Sequence, residues 1–352
     1  MSISSLKSKL SKGEAFLVTS DRSRFYLTDF DFTDGFLIIT SSKSILLADG
    51  RYIEAAEAKA KNCDEIILLQ RASEQLPEIL KQLDISVVYT EAEKLTVADF
   101  NAISDMAGCE VKAEKLDEEL ISLRRKKSET EKERVIAAQR IAEGAFNHIL
   151  TFIKEGVTEN DIRLELEFYM LKHGAEGLSF ETIAISGKNT SMPHGVPTDK
   201  KVEKGDFITM DYGALYKGYH SDMTRTVALG EVSGKQAEVY ETVLKAQQAC
   251  FDVVKAGVPC VDADAAARNA IKNAGYGQYF THSTGHGVGI DIHEAPSLST
   301  RSTAILEAGD IVTDEPGIYI PGEFGVRIED MMFITETGFE NLTKAEKKLI
   351  VL

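Results

Sequence analysis

The sequence predicts an α+β protein in two parts: a small α/β domain over residues 1–122 and a larger domain over residues 123–352 whose halves repeat each other. Three observations carry this expectation. Short apolar runs alternate with helical stretches through the first part, the pattern of a sheet covered by helices. An almost fully charged segment, Leu123–Arg134 (LRRKKSETEKER), follows it. Beyond that, EKGDFITMDYG (Glu203–Gly213) reappears as EAGDIVTDEPG (Glu307–Gly317) at a constant offset of 104.

In chain order, Leu6 and Leu10 suit a short amphipathic helix. Ala15–Thr19, Phe25–Leu27, Phe36–Thr40, Ile45–Ala48, Ile66–Leu69 and Val87–Tyr89 have the length and composition of strands. Arg51–Lys61, Leu76–Leu83 and Val97–Met106 read as helices between or after them. No glycine-rich phosphate loop follows any of these strands, so no nucleotide is assigned. The charged segment reads as a solvated helix face or linker. Ser128 followed by Glu131 fits a capping box that opens a long helix.

Composition narrows the function. Forty Lys and Arg against 56 Asp and Glu leave a net charge of −16, which repels phosphate backbones and argues against a nucleic-acid partner. No apolar run approaches the ~20 residues of a membrane helix, and the N-terminus lacks the apolar region of a secretory signal. Cys63, Cys109, Cys250 and Cys260 are scattered without a CxxC pair, so reduced thiols in a cytoplasmic protein are expected, each buried as a small hydrophobe.

The repeat concentrates acids. Asp211 falls on Glu315, and the upstream KEGV at Lys154 matches KAGV at Lys255 with an offset of 101, as Asp161 and Gly174 match Asp262 and Gly275. Each half reads helix, turn, helix, hairpin, and two such halves pack about a pseudo-twofold axis with their hairpins face to face. In the first hairpin, Phe207–Val227, a centre between Tyr216 and Lys217 pairs Asp211 with Asp222. Directly opposed residues share a face, where like charges repel. The second hairpin, Asp310–Asp330, turns around Pro321–Phe324 and sets Glu315 against Glu329. Four carboxylates among apolar neighbours then converge, and a cation removes the conflict.

Thr281–Ser297 (THSTGHGVGIDIHEAPS) adds His282, His286 and His293 among glycines. One imidazole with four carboxylates suits two divalent ions, and oxygen-rich ligation favours Mn²⁺, Co²⁺ or Mg²⁺. Two such ions share a bridging water and lower its pKa, giving hydroxide at neutral pH. Hydrolysis is the chemistry this predicts. His148 and His173 read as exposed helix residues, and His220, which shares strand parity with Asp222, as structural or supporting.

MPHGVPT (Met192–Thr198), DYG with SDMTRT (Asp211–Thr226), HSTGHGVG with HEAP (His282–Pro296), EPGIY (Glu315–Tyr319) and RIED (Arg327–Asp330) together resemble the metal-dependent creatinase/prolidase superfamily, metallopeptidase family M24. The resemblance covers about residues 128–345 strongly and the first 122 more loosely. It implies the pita-bread fold, with the superfamily's smaller domain in front. It also implies that Asp211, Asp222, His286, Glu315 and Glu329 ligate two ions, most simply Mn²⁺ with Co²⁺ as an alternative. Asp222 and Glu329 bridge, and Glu315 doubles as the acid/base. His194 and His293 match histidines that hold the scissile carbonyl and donate a proton. His282 and Arg327 match the proline side of the substrate pocket, and Tyr319 a tyrosine bonded toward the metals. A homodimer is implied as well.

Asp314, where relatives carry an aliphatic residue, is expected on the opposite strand face from Glu315. The segment Tyr26–Asp34 departs from the glycine-rich form of relatives, so no substrate contact is assigned to it. The activity implied is hydrolysis of the bond before proline, in an Xaa-Pro dipeptide or a longer Xaa-Pro peptide. A different aminopeptidase, an amidinohydrolase and a non-catalytic peptide binder remain alternatives, although the complete ligand set counts against the last two.

Overall fold

The computed structural model describes residues 2–352, which form two compact units, one up to Arg124 and one from Arg125 onward. The first unit is built on a six-stranded sheet. Its strands are β1 (Glu14–Val18), β2 (Gly35–Thr40), β3 (Ser44–Asp49), β4 (Glu65–Leu69), β5 (Val87–Thr90) and β6 (Glu110–Lys112), in the order β4-β3-β2-β1-β5-β6. Strand alternation sends Phe16, Val18, Leu37, Ile39 and Leu46 into one core and Ala15, Leu17, Ile38, Ile45 and Leu47 into another. Helices α1 (Ser2–Lys7), α2 (Asp21–Thr28), α3 (Ile53–Lys59) and α6 (Leu116–Arg125) contribute to the first core, whereas α4 (Ala72–Gln82) and α5 (Val97–Ala107) cover the second.

Phe25–Leu27 is therefore not a strand: it lies inside α2. The Ser20 side chain caps that helix and Asp29 ends it at φ 52°. Phe25, Tyr26 and Leu27 are apolar enough for a strand, and the cap decides otherwise. In the divergent Tyr26–Asp34 segment, buried Arg24 donates to the carbonyls of Phe32 and Thr33, and also to that of Gly35 just beyond. Cys63 and Cys109 are only half-buried, unlike Cys250 and Cys260, and all four are free.

The second unit carries the repeat. Its first half comprises α7 (Glu129–Phe152), α8 (Glu159–Lys172), β7 (Gly177–Leu178), β8 (Ile183–Ser186), β9 (Phe207–Tyr212), β10 (Ala214–Tyr216), β11 (Tyr219–His220) and β12 (Met223–Ala228). The second half comprises α9 (Gly234–Phe251), α10 (Cys260–Asn273), β13 (Gly285–Gly287), β14 (Glu294–Leu298), β15 (Ile311–Asp314), β16 (Gly317–Ile320), β17 (Phe324–Arg327), β18 (Asp330–Ile334) and β19 (Phe339–Asn341). Ser128 and Glu131 form the capping box at the start of α7.

Equivalent backbone bonds recur in both halves. Gly156 donates to Val202 O at 2.9 Å and Gly257 to Leu306 O at 2.8 Å. Gly205 donates to Leu229 O at 2.7 Å and Gly309 to Ile334 O at 3.0 Å. Gly205 and Gly309 take φ values of 88° and 103°, a turn conformation that side chains resist. Each half has its own helix-covered core. On β9, Ile208, Met210 and Tyr212 face that core, so Asp211 faces away from it.

The charged segment is not a solvated face throughout. Arg125 forks onto the buried Asp310 at 3.0 and 2.7 Å, and Lys127 forms a buried ion pair with Glu294. Burial here follows partners in the second half that lie more than 150 residues away, which local charge density does not reveal.

Candidate metal centre

The first hairpin turns at Lys217 and Gly218, with φ values of 46° and 75°, the left-handed pair of a two-residue type I′ turn. Asp211 is thus opposite Thr224, not Asp222. The turn centre sits one residue beyond its expected place, which shifts the pairing by two residues. A two-residue shift keeps every side chain on its face, so Asp222 still shares the face of Asp211. Asp222 itself occupies the break between β11 and β12. There Gly213 packs so closely that a Cβ would lie 1.8 Å from Ser221 O.

In the second hairpin, the pairs Asp314–Asp330 and Gly317–Arg327 share one register, leaving Glu315 and Glu329 opposed in the interruption between them. Their backbones are held from outside: Glu315 N–H donates to Thr284 O at 2.8 Å and Glu329 N–H to Thr224 O at 3.1 Å. The first bond ties the hairpin to the histidine segment and the second ties it to the other half of the repeat. The glycines around His286 serve the backbone, since a Cβ on Gly285 would meet Thr313 O at 2.0 Å.

These constraints gather the acids. Asp222, His286 and Glu329 each offer a ligand atom within 4.8 Å of the others. His286 Nε2 stands 3.5 Å from Asp222 Oδ2 and 3.4 Å from Glu315 Oε1. Its Nδ1 faces Gly287 O at 3.1 Å, which assigns the proton to Nδ1 and leaves the Nε2 lone pair toward the carboxylates. Asp211 Oδ1 and Glu329 Oε1 are buried and have no hydrogen-bond partner among the described residues. A buried acceptor without a donor is costly, and a divalent cation at this point would satisfy both oxygens.

Arg327 and Thr224 hold this group from behind. Arg327 donates to Asp211 Oδ2 at 2.5 Å, Thr224 Oγ1 at 3.0 Å, Tyr319 OH at 2.8 Å and Pro193 O at 3.1 Å. Four of its five N–H donors are thereby taken. Thr224 Oγ1 in turn donates to Glu329 Oε2 at 2.7 Å. Since Tyr319 OH accepts from Arg327, it donates to His282 Nε2 at 2.9 Å, and His282 Nδ1–H donates to Ser283 O.

Nine of the ten residues named from sequence line one cavity of about 610 Å³: His194, Asp211, Asp222, His282, His286, His293, Glu315, Arg327 and Glu329. Tyr319 is not on its wall and acts through His282 and Arg327. Asp314 is fully buried beside Cys250, apart from the cavity, as strand alternation requires. His220 is also buried, near Ser179, while His148 is half-buried against Glu165 and His173 is exposed. Sequence reasoning missed Thr224, although its parity with Asp222 pointed to the same face. It also missed Lys127, for which no local signal exists.

The charges are in conflict without a cation. Burial, then the neighbouring Glu329, Asp211 and Glu315, holds the Asp222 carboxyl well above its usual range. Burial and Glu315 do the same to Glu329. Glu315 is pushed up to about 8, chiefly by burial. Burial lowers His286 to about 4, helped by His293, and His282 to about 4, helped by Arg327. For Arg327, burial opposes the charge, but Tyr319, Asp211 and Glu315 outweigh it and keep the guanidinium protonated.

A pH signature follows for the chelator-stripped protein. A carboxyl raised in the fold stabilises it while protonated, so the Glu315 contribution is whole below 4.5 and lost as pH rises to about 8. His282 and His286 act oppositely, but their contribution is complete above their ordinary value of 6.5. Between pH 6.5 and 8 the acids therefore act unopposed. Thermal denaturation of the stripped protein is expected to show Tm rising by roughly 5 °C as pH falls from 8 to 6.5. Saturating Mn²⁺ should remove this trend, because protons and cations compete for the same oxygens. A flat Tm across that window in the stripped protein would refute the charge conflict.

Comparison with known proteins agrees with this geometry. Residues 133–336 match metallopeptidase family M24, and residues 8–126 match the creatinase/prolidase N-terminal domain. The Xaa-Pro dipeptidase of Pyrococcus furiosus is 38% identical over 90% of this chain and 89% of its own length. The structure of an Xaa-Pro dipeptidase from Bacillus anthracis superposes with a TM-score of 0.95 at 41% identity, covering 99% of both chains. An X-Pro aminopeptidase from Thermotoga maritima superposes with a TM-score of 0.93 at 35% identity, over 99% of this chain and 100% of that one. The repeated unit with its facing hairpins is thus the pita-bread fold, and the chain belongs to metallopeptidase family M24.

Proposed function

We propose that this protein is a dinuclear-metal exopeptidase that hydrolyses the peptide bond preceding proline. The observation that carries the reading is the group of Asp211, Asp222, His286, Glu315 and Glu329, in which Asp222 and Glu329 are buried and the others half-buried. Two of its carboxylate oxygens lack any donor, and the group lies in one cavity with His194, His282 and His293. The five would hold two divalent ions, Mn²⁺ or Co²⁺ by the oxygen-rich donor set. Such ions, when bound, polarise a carbonyl and make water acidic enough to react at neutral pH.

The remaining chemistry belongs to the chain. Glu315 accepts a proton from the attacking water and delivers it to the proline nitrogen, which has no hydrogen of its own before the bond breaks. His194 and His293 donate hydrogen bonds where negative charge develops on the carbonyl oxygen. His282 lines the pocket, its ring fixed by Tyr319. Arg327 positions Asp211 and has one free N–H left.

That last point favours a second reading on substrate length. Among the described residues Arg327 is the one Arg or Lys on the cavity wall, and it is committed to Asp211, Tyr319, Thr224 and Pro193. A strict dipeptidase needs a cation for the proline carboxylate, whereas an aminopeptidase leaves that end open. Stripped protein assayed with Mn²⁺ or Co²⁺ on an Xaa-Pro dipeptide and a matched Xaa-Pro-Yaa tripeptide decides between them. Cleavage of the dipeptide alone means dipeptidase, and equal or faster cleavage of the tripeptide before proline means aminopeptidase. No metal-restored turnover of either would end the Xaa-Pro reading.

A further inference from the structure

Glu159, at the first turn of α8, is completely buried, yet its five hydrogen-bond donors are all neutral groups. Oε1 accepts from Ser186 N at 2.7 Å, Ser186 Oγ at 3.1 Å and Asn189 Nδ2 at 3.0 Å. Oε2 accepts from Thr198 N at 3.0 Å and Thr198 Oγ1 at 2.7 Å, and at 3.2 Å from the same Asn189 Nδ2. Ser186 ends β8, and Thr198 lies twelve positions later, so one carboxylate closes the neck of the loop between them. That loop carries His194 to the cavity wall.

Beyond the neck, the loop is held chiefly through its 187–191 turn, which packs against β17. Thr190 Oγ1 accepts from Gly325 N at 2.8 Å, and Pro193 O accepts from Arg327. Met192 is 47% and Val196 74% exposed, so apolar burial does not anchor the limb that bears His194. Closing a loop fixes its tip only if both stems are held. Ionised carboxylates accepting backbone N–H groups make short, strong bonds suited to that task.

The internal repeat supplies a comparison within the same chain. At the repeat offset of 101, the counterpart of Glu159 is Cys260, and both make the same backbone bond, Glu159 N to Lys200 O at 3.0 Å and Cys260 N to Ala304 O at 2.9 Å. The backbone role is therefore common to both halves, while at this position only the half that carries the His194 loop has a carboxylate; in the other half Asp264, further along α10, accepts from Thr284 N and Oγ1.

We infer that Glu159 is a positioning residue for the reaction, its carboxylate stapling the neck of the 186–198 loop so that His194 is held at the scissile carbonyl. The inference rests on the role proposed above for His194. Glu159→Gln keeps the side chain's size but must turn an NH₂ group toward donors at one side of the neck. Hydrogen exchange of the 186–198 peptide is expected to speed up at least tenfold in Glu159→Gln, with the β9 peptide unchanged. With Mn²⁺ content unaltered, kcat/KM on an Xaa-Pro substrate is expected to fall at least tenfold. The same substitution in a His194→Ala background should cost less than twofold, because the residue it positions is already gone.

Unchanged exchange at the neck, or an equal loss of activity in both backgrounds, would overturn the proposal. Thr198→Val, which removes one of the five donors, should reproduce the pattern more weakly, and it is the variant to use if Glu159→Gln fails to fold. Its showing no dependence on His194 would count as a refutation. The exchange arm needs no substrate, so failure of the assigned reaction leaves the test of the staple intact.

Discussion

Asp222→Ala is expected to lower hydrolysis by at least ~10³-fold, the equivalent of about 4 kcal/mol of transition-state stabilisation, while the chain stays folded. Asp222 stands where the two halves of the repeat meet, within 4.8 Å of His286 and Glu329 through its ligand atoms. In the proposed role it would hold metal together with His286 and Glu329, so its loss should cost metal occupancy. The sign of its effect on stability is a second and sharper signature. In the stripped protein, burial first and then Glu329, Asp211 and Glu315 oppose ionisation of Asp222, so removing it relieves both costs and should raise Tm. The Tm increase that Mn²⁺ produces in the unaltered protein should vanish in the variant. Activity near normal, with metal content unchanged, would remove Asp222 from the ligand set. His286→Ala should behave alike in activity, since its Nε2 lone pair is directed at Asp222 and Glu315.

Glu315→Gln should reduce kcat by ~10²–10⁴-fold with little change in KM, the range expected when a positioned acid/base is lost. Burial pushes the Glu315 carboxyl up to about 8, and Thr313 Oγ1 donates to its Oε1 at 3.3 Å. Its backbone bond to Thr284 is independent of the side chain, so the amide should occupy the same place. Glutamine still offers one oxygen to a cation but cannot take up the proton of the attacking water. Metal content measured alongside kcat separates the two roles. A variant that keeps its metal yet retains kcat within tenfold of the parent would show that the proton goes elsewhere.

Much of the architecture was legible because the physics that sets it is local. Apolar runs of strand length set between helical stretches predict a sheet covered by helices, which the two cores of the first unit are, and Ser128 with Glu131 predicts where α7 begins. The repeat of Glu203–Gly213 in Glu307–Gly317 predicts matching turns, and the paired bonds of Gly205 and Gly309 are those turns. Where local reasoning failed, a single backbone choice intervened. Phe25–Leu27 joined a helix because Ser20 capped it, and the first hairpin slipped by two residues because Lys217 and Gly218 accept positive φ.

By itself the sequence determined which side chains carry the chemistry and on which strand faces they lie, because a period of two survives an error of two in register. Only the tertiary structure decided what holds them. Thr224 links Glu329 to Arg327, Arg327 spends its donors on Asp211 and Tyr319, Lys127 pairs with Glu294, and Glu159 gathers Ser186, Asn189 and Thr198. Each of these contacts joins groups distant along the chain. Their free energy arises from burying a charge or acceptor and supplying its partner at the same point, a condition that exists only once the chain has folded.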